Sequence, residues 1–141
     1  MRYRVVAVGR IRDAALRTAC DEYLKRLTRY ARVETVEVKD DTRLEQALGP
    51  DERVVALTRL GEPWSSDDLA RRSAVWDQEG RAVALVVGGA DGLPASVLER
   101  ADGRWSLSAL TLPHELARLV VLEQLYRAFT IRKGEPYHRS G

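Results

Sequence analysis

Apolar and polar positions along the chain alternate between two periods, and each change of period marks an element. Tyr3 to Val8 is a mostly apolar run ending at Gly9, as a strand does. Asp13 stands where an N-cap is expected, and Leu16, Cys20, Tyr23, Leu24 and Leu27 then recur at helical spacing, with Arg17, Lys25, Arg26 and Arg29 on the other side. This predicts an amphipathic crossover helix. Val33 to Val38 alternates Val with Glu or Thr, the mark of a half-exposed strand. Thr42 to Leu48 has room only for a short helix before Gly49-Pro50, and Arg53 to Thr58 is a third strand. Arg59 to Trp64 reads as a turn. Ser65 or Ser66 caps a helix running toward Glu79, with Asp67 and Asp68 in its first turn.

Ala82 to Val87 is nearly all apolar, which predicts a strand buried on both faces, as in a parallel sheet. A GGADGL loop follows, in which Gly88, Gly89 and Gly92 can adopt positive φ and let backbone approach a ligand. Pro94 to Ala101 is a short helix, Trp105 to Leu107 a short strand, and Pro113 the expected first residue of a final helix to Phe129. The alternation of strands and helices predicts a parallel α/β sheet in one domain. The final helix is apolar over more than one stripe: Leu116, Leu119, Val120, Leu122, Leu125, Tyr126 and Phe129 leave few polar positions. Such a helix must be buried twice, and the reading preferred here is a homodimer interface, with Leu122 and Leu125 in it.

Composition narrows the field. A chain of 141 residues can bury one core without staples, and the lone Cys20 excludes an internal disulfide or a cysteine-based zinc site. No run of about twenty apolar residues is present to span a membrane, and the start lacks a signal-peptide core, so a cytoplasmic protein is expected. The net charge of +2 conceals an uneven distribution. Residues 1–32 carry nine Arg/Lys against three Asp/Glu, 33–80 six against twelve, and 81–141 eight against six. A basic N-terminal third and a basic tail can converge on a face that meets phosphate; solvated helix faces are the plain alternative.

Several common chemistries find no footing. GGADGL lacks the G-x-G-x-x-G spacing of a dinucleotide fingerprint, and no P-loop lysine is present. His114 and His138 are the only histidines and have no ligand-like spacing, so no metal site is expected. Ser106 and Ser108 lack the G-x-S-x-G elbow of a hydrolase.

Taken in order, MRYRVVAVGRIRD, EYLKRL, GEPWSS, VVGGADGL, WSLSALTLPHELARLVVLEQLYRAF and the terminal PYHR resemble the RlmH family, bacterial 23S ribosomal RNA pseudouridine N3-methyltransferases of the SPOUT superfamily. The resemblance covers nearly the whole chain. It is strongest at Trp105 to Phe129 and Pro136 to Arg139, and weakest between Lys39 and Pro50, where this sequence is the shorter.

The resemblance implies a homodimer of α/β subunits with the parallel-sheet SPOUT fold and a C-terminal trefoil knot. The single domain, 1–141, would hold the knot and cofactor site at about 82–129 and an RNA-contacting tail at about 130–141. It implies S-adenosyl-L-methionine as cofactor, held by Leu57, Gly88 and the stretch Leu107, Ser108, Ala109, Leu110, Thr111 and Leu112. Main-chain groups of that stretch suit an adenine edge, and its leucines with Leu57 suit the ring faces. The implied acceptor is one pseudouridine in a stem-loop of 23S rRNA, within the large subunit or 70S ribosome. Arg127, Arg132 and Lys133 are expected to neutralise phosphates, Tyr137 to stack on a base, and His138 and Arg139 to reach its polar edge. His138 is the first candidate for the base that removes the N3 proton, Glu123 a weaker one, and Arg127 a candidate stabiliser of carbonyl charge. A SPOUT enzyme acting on another RNA such as tRNA, and a non-catalytic ribosome-binding module, are the rival readings.

Overall fold

Five parallel strands form one sheet in the order β2-β1-β4-β3-β5 in the computed structural model, which describes residues 1–139. The strands are β1 (Arg2–Val8), β2 (Arg32–Val38), β3 (Arg53–Glu62), β4 (Val83–Val87) and β5 (Gly103–Trp105); the helices are α1 (Ala14–Leu27), α2 (Ser66–Glu79), α3 (Ala95–Arg100) and α4 (His114–Lys133). β4 lies at the centre and is buried at every position, which is why it carries no alternation.

Local signals set most boundaries. The Asp13 side chain accepts from the Leu16 N–H at 3.0 Å to open α1. Ser65 and Asp68 close a reciprocal capping box on α2, and Gly80, at φ 73°, ends it. α4 outruns its predicted end by one turn: Thr130 is buried with its hydroxyl on Arg127 O at 2.7 Å, and the helix stops only at Gly134, φ 67°. Pro113 stands before the helix as its N-cap rather than inside it.

The remaining differences have physical causes. Thr42 to Leu48 forms two 3-10 turns, Asp41–Arg43 and Glu45–Ala47, instead of one short helix. These place Leu44 and Leu48 under the sheet. Arg59 to Glu62, read as a turn, continues β3. Gly61 permits this, because a Cβ there would lie 2.7 Å from the Arg104 carbonyl carbon and 2.8 Å from Trp105 N. β3 meets Trp105 twice, through Leu57 and again through Glu62. β5 itself ends at Trp105, leaving Ser106 and Leu107 to begin a loop.

The core is two-sided. On one face Val5, Ala7, Val55, Leu85 and Val87 meet α1, α2 and α4; on the other Val6, Val54, Ala84 and Val86 meet Leu44, Leu48 and Val97. α4 packs between α1 and α2. Phe129 stacks on Tyr30, centroids 5.3 Å apart, and meets Tyr3 edge-on at 5.7 Å, while Arg132 pairs with Asp77 of α2 at 2.7 Å. The second apolar flank of α4 is thus largely covered within the chain, and Leu122 and Leu125, 2% and 0% exposed, belong to the core and not to a subunit interface. Leu116 and Val120 are half-buried and join neither core cluster.

Candidate active site

Parallel sheets place their loops at the carboxyl ends of the strands, and ligands bind in the crevice there. In this chain the ends of β3 and β4, the loop after β5 and the first turn of α4 enclose a cleft of about 500 Å³. Leu57, Gly88, Leu107, Ser108, Leu110, Thr111 and Leu112 all line it; Ala109, expected with them, does not. Ala109 is exposed at the outer bend of its loop.

The loop has the right character to hold a nucleoside. Ser106 N–H donates to Glu62 O of β3 at 2.8 Å and Leu110 N–H to Ser108 Oγ at 2.9 Å; the N–H groups of Leu107, Ser108, Thr111 and Leu112 donate to nothing among the described residues. Unpaired main-chain donors facing an apolar cleft are suited to a planar heteroaromatic edge. The volume also lies within the range of small-molecule sites. The cleft therefore fits S-adenosylmethionine.

Gly88 has a structural role as well as its place in the cleft lining. A Cβ on it would sit 2.6 Å from the Gly92 carbonyl carbon, so the glycine lets the GGADGL loop close on itself. Of the three glycines only Gly92 takes positive φ, 79°. Arg59, Asp91 and His114 also line the cleft, although the sequence reading assigned them no part there. The available signal was their position, since each adjoins the carboxyl end of a strand or opens the last helix.

Arg127, Tyr137 and His138 come together elsewhere, on the middle of α4, and none of them lines the cleft. The Tyr137 hydroxyl donates to Glu123 Oε2 at 2.8 Å and lies 3.0 Å from the Tyr23 hydroxyl of α1. Burial, together with the Tyr23 and Glu123 hydrogen bonds, pushes the Tyr137 phenol well above its ordinary value. Its ring lies under the Arg127 guanidinium, 4.8 Å to the centroid, and edge-on to Tyr126, also 4.8 Å. A ring held this way is an anchor, not a free platform for a base.

Arg127 also pairs with Glu123 at 2.7 Å and meets His138 Nδ1 at 3.1 Å. A guanidinium only donates, so Nδ1 accepts and the ring hydrogen sits on Nε2. Nε2 is buried, has no hydrogen-bond partner among the described residues, and lies 4.0 Å from Asp67 Oδ2. His138 is thereby arranged as a donor, with its basic lone pair already engaged. Glu123 accepts from Arg127, Tyr137 and Gln124, which leaves it poorly placed as a base too. Arg132, Lys133 and Arg139 are all exposed, and Arg132 pairs with Asp77 and Ser73. The last two residues of the expected RNA-contacting tail, 140 and 141, lie outside the described residues.

A family model for predicted SPOUT methyltransferases matches residues 1–138. The chain belongs to this family. Ribosomal RNA large subunit methyltransferase H from Anaeromyxobacter sp. strain Fw109-5 is 50% identical over 153 aligned positions, covering 99% of this chain and all of the relative. A protein of that name from Thermus thermophilus is 51% identical over 140 positions, 99% of each chain. A probable methyltransferase from Bordetella pertussis Tohama I superposes with a TM-score of 0.59 at 18% identity, over 90% of this chain and 95% of that one, which shows the fold alone. The SPOUT methyltransferase described here thus shares its full length with the large subunit methyltransferase H proteins. Among its described residues no helix is long and apolar enough to cross a membrane, and no group of His, Cys, Asp or Glu is placed to hold a metal ion.

Proposed function

We propose that this methyltransferase transfers the methyl group of S-adenosyl-L-methionine to N3 of a pseudouridine in 23S rRNA, on the large subunit or the assembled 70S ribosome, as a cytoplasmic homodimer. The observation that carries the reading is the cleft: the loop after β5, several of whose N–H groups have no acceptor among the described residues, lines a space of nucleoside size together with Leu57 and Gly88. We infer a C-terminal trefoil knot from membership of the SPOUT methyltransferase family. The relatives' name, ribosomal RNA large subunit methyltransferase H, supports ribosomal RNA of the large subunit as the substrate class.

The cofactor supplies an electrophilic methyl group on a sulfonium, and alignment of N3 with that carbon is the chain's main task. The main chain of the Leu107–Leu112 loop would hold the adenine edge, and Leu57, Leu107, Leu110 and Leu112 would supply apolar surface to its ring. Binding of RNA would expose Nε2 of His138, now buried, to donate to a carbonyl flanking N3, and Arg127 would hold the imidazole in that tautomer. Negative charge left on the imide as the N3 proton departs to water is stabilised by this donor. Cleft and tail share no residue within one subunit, and a second subunit joined through Leu116 and Val120 brings one protomer's tail toward its partner's cleft.

Truncation after Gly134 tests the division of labour. The shortened protein should bind S-adenosylmethionine with unchanged affinity by calorimetry and transfer no methyl group to ribosomes. Normal turnover without the tail would contradict the reading.

A further inference from the structure

Two arginines expected to meet RNA already hold partners within the chain: Arg127 pairs with Glu123 and Arg132 with Asp77, each at 2.7 Å. A surface that attracts phosphate needs cations without internal partners, held where the nucleic acid passes. The turn from β1 to α1 supplies them.

That turn is fastened on several sides. Gly9 N–H donates to Val38 O at 2.8 Å, and the Arg118 guanidinium donates to Gly9 O at 3.0 Å. The N–H groups of Arg12 and Asp13 both donate to Glu115 Oε1 at 3.1 Å. Ile11, 4% exposed, is sunk in the core, and its carbonyl accepts from Arg17 at 2.6 Å. On either side of it Arg10 and Arg12 are exposed, and neither guanidinium makes a hydrogen bond or ion pair among the described residues.

The turn also stands beside the cleft. β1 pairs with β4 up to Ala7 and Val87, and Val8 Cβ lies 3.5 Å from where a side chain on Gly89 would begin. On its other flank Glu115 follows His114, and both Gly89 and His114 line the cleft.

From this arrangement we infer that Arg10 and Arg12 form a phosphate-contacting surface that seats the RNA strand beside the methyl-donor cleft. The inference rests on the proposed rRNA substrate. A fixed turn presents two guanidinium groups with little ordering cost, and each suits bidentate contact with phosphate oxygens. Such contacts position the strand and carry no sequence information. Recognition of the target base stays with the groups around the cleft and tail.

The test compares Arg10→Gln/Arg12→Gln with the unaltered protein on ribosomes lacking the methyl mark, measuring affinity over a series of salt concentrations. Two lost phosphate contacts should lower the slope of log affinity against log salt by about 1.4, taking the single-strand value per contact. Affinity at low salt should fall by roughly tenfold, with S-adenosylmethionine binding unchanged. Lys25→Gln/Arg32→Gln removes the same charge at the far end of α1 and of the sheet, and should change neither slope nor affinity. An unaltered slope in the first variant, or an equal loss in both, would overturn the inference. If the unaltered protein fails to methylate ribosomal RNA at all, the functional reading falls first and the surface with it.

Discussion

The Tyr137 hydroxyl hands its hydrogen to Glu123 across 2.8 Å while receiving one from Tyr23 at 3.0 Å, so residues far apart in sequence fix the tail onto α4. Glu135 adds a second fastening, accepting from Tyr30 at 2.9 Å and from Arg29 at 3.1 Å. This bears on activity through position, because the same Glu123 orients Arg127 and Arg127 orients His138.

Tyr137→Phe should therefore lower kcat by about tenfold, the equivalent of one hydrogen bond of about 1.4 kcal/mol. Donor affinity, measured by calorimetry, should not move. Equal losses in kcat and donor affinity would show that the tail serves the cofactor site instead.

Gly61→Ala should be disproportionately harmful for one methyl group. The new Cβ would fall on the Arg104 and Trp105 backbone, which has no flexible side chain to yield. A loss of about 2–3 kcal/mol is expected from overpacking, read as a lowered urea midpoint. Donor binding should weaken with it, since β5 leads directly into the loop that lines the cleft.

How much of this was legible before the fold was known depends on the scale of the signal. The central strand and the Asp13 and Ser65 caps announce themselves through a run of apolar residues or local capping chemistry, and the loop after β5 stands out only through the family resemblance. The continuation of β3 through Gly61 does not, because a glycine in a turn and a glycine under a passing backbone look alike in sequence. Tyr23 reads simply as a core position at helical spacing, and its pairing with Tyr137 needs three dimensions. The extra apolar flank of α4 signals a need for cover, and α1 and α2 supply most of that cover from the same chain.

Association and folding can accordingly be separated along α4. Leu125→Ala, deep in the core, should cost about 2–5 kcal/mol in stability. Val120→Glu, on the half-buried flank, should leave the far-ultraviolet circular dichroism unchanged while halving the mass measured by light scattering. An unchanged mass would remove Val120 from the interface.

Acid sensitivity should centre on Arg4 and Glu52. Burial acts to raise the Glu52 carboxyl, but the Arg4 hydrogen bond and the Gly49 N–H outweigh it and hold the group below its ordinary value. A carboxyl depressed in the folded state contributes stability that is present above about pH 5 and disappears as pH falls through the folded value. Glu52→Gln should flatten that acid limb and cost about 3 kcal/mol at neutral pH by leaving Arg4 half-buried without its partner. Urea unfolding at a series of pH values reads both effects. A wild-type acid limb retained by Glu52→Gln would assign it to other carboxylates.

The central claim is a methyl transfer to one nitrogen of one base. Purified protein, S-adenosylmethionine carrying a labelled methyl group, and 70S ribosomes from cells lacking this modification would be incubated together, and the 23S rRNA digested and analysed by mass spectrometry. Label is expected on N3 of a single pseudouridine. Label on tRNA, on another base, or on no RNA at all would contradict the claim.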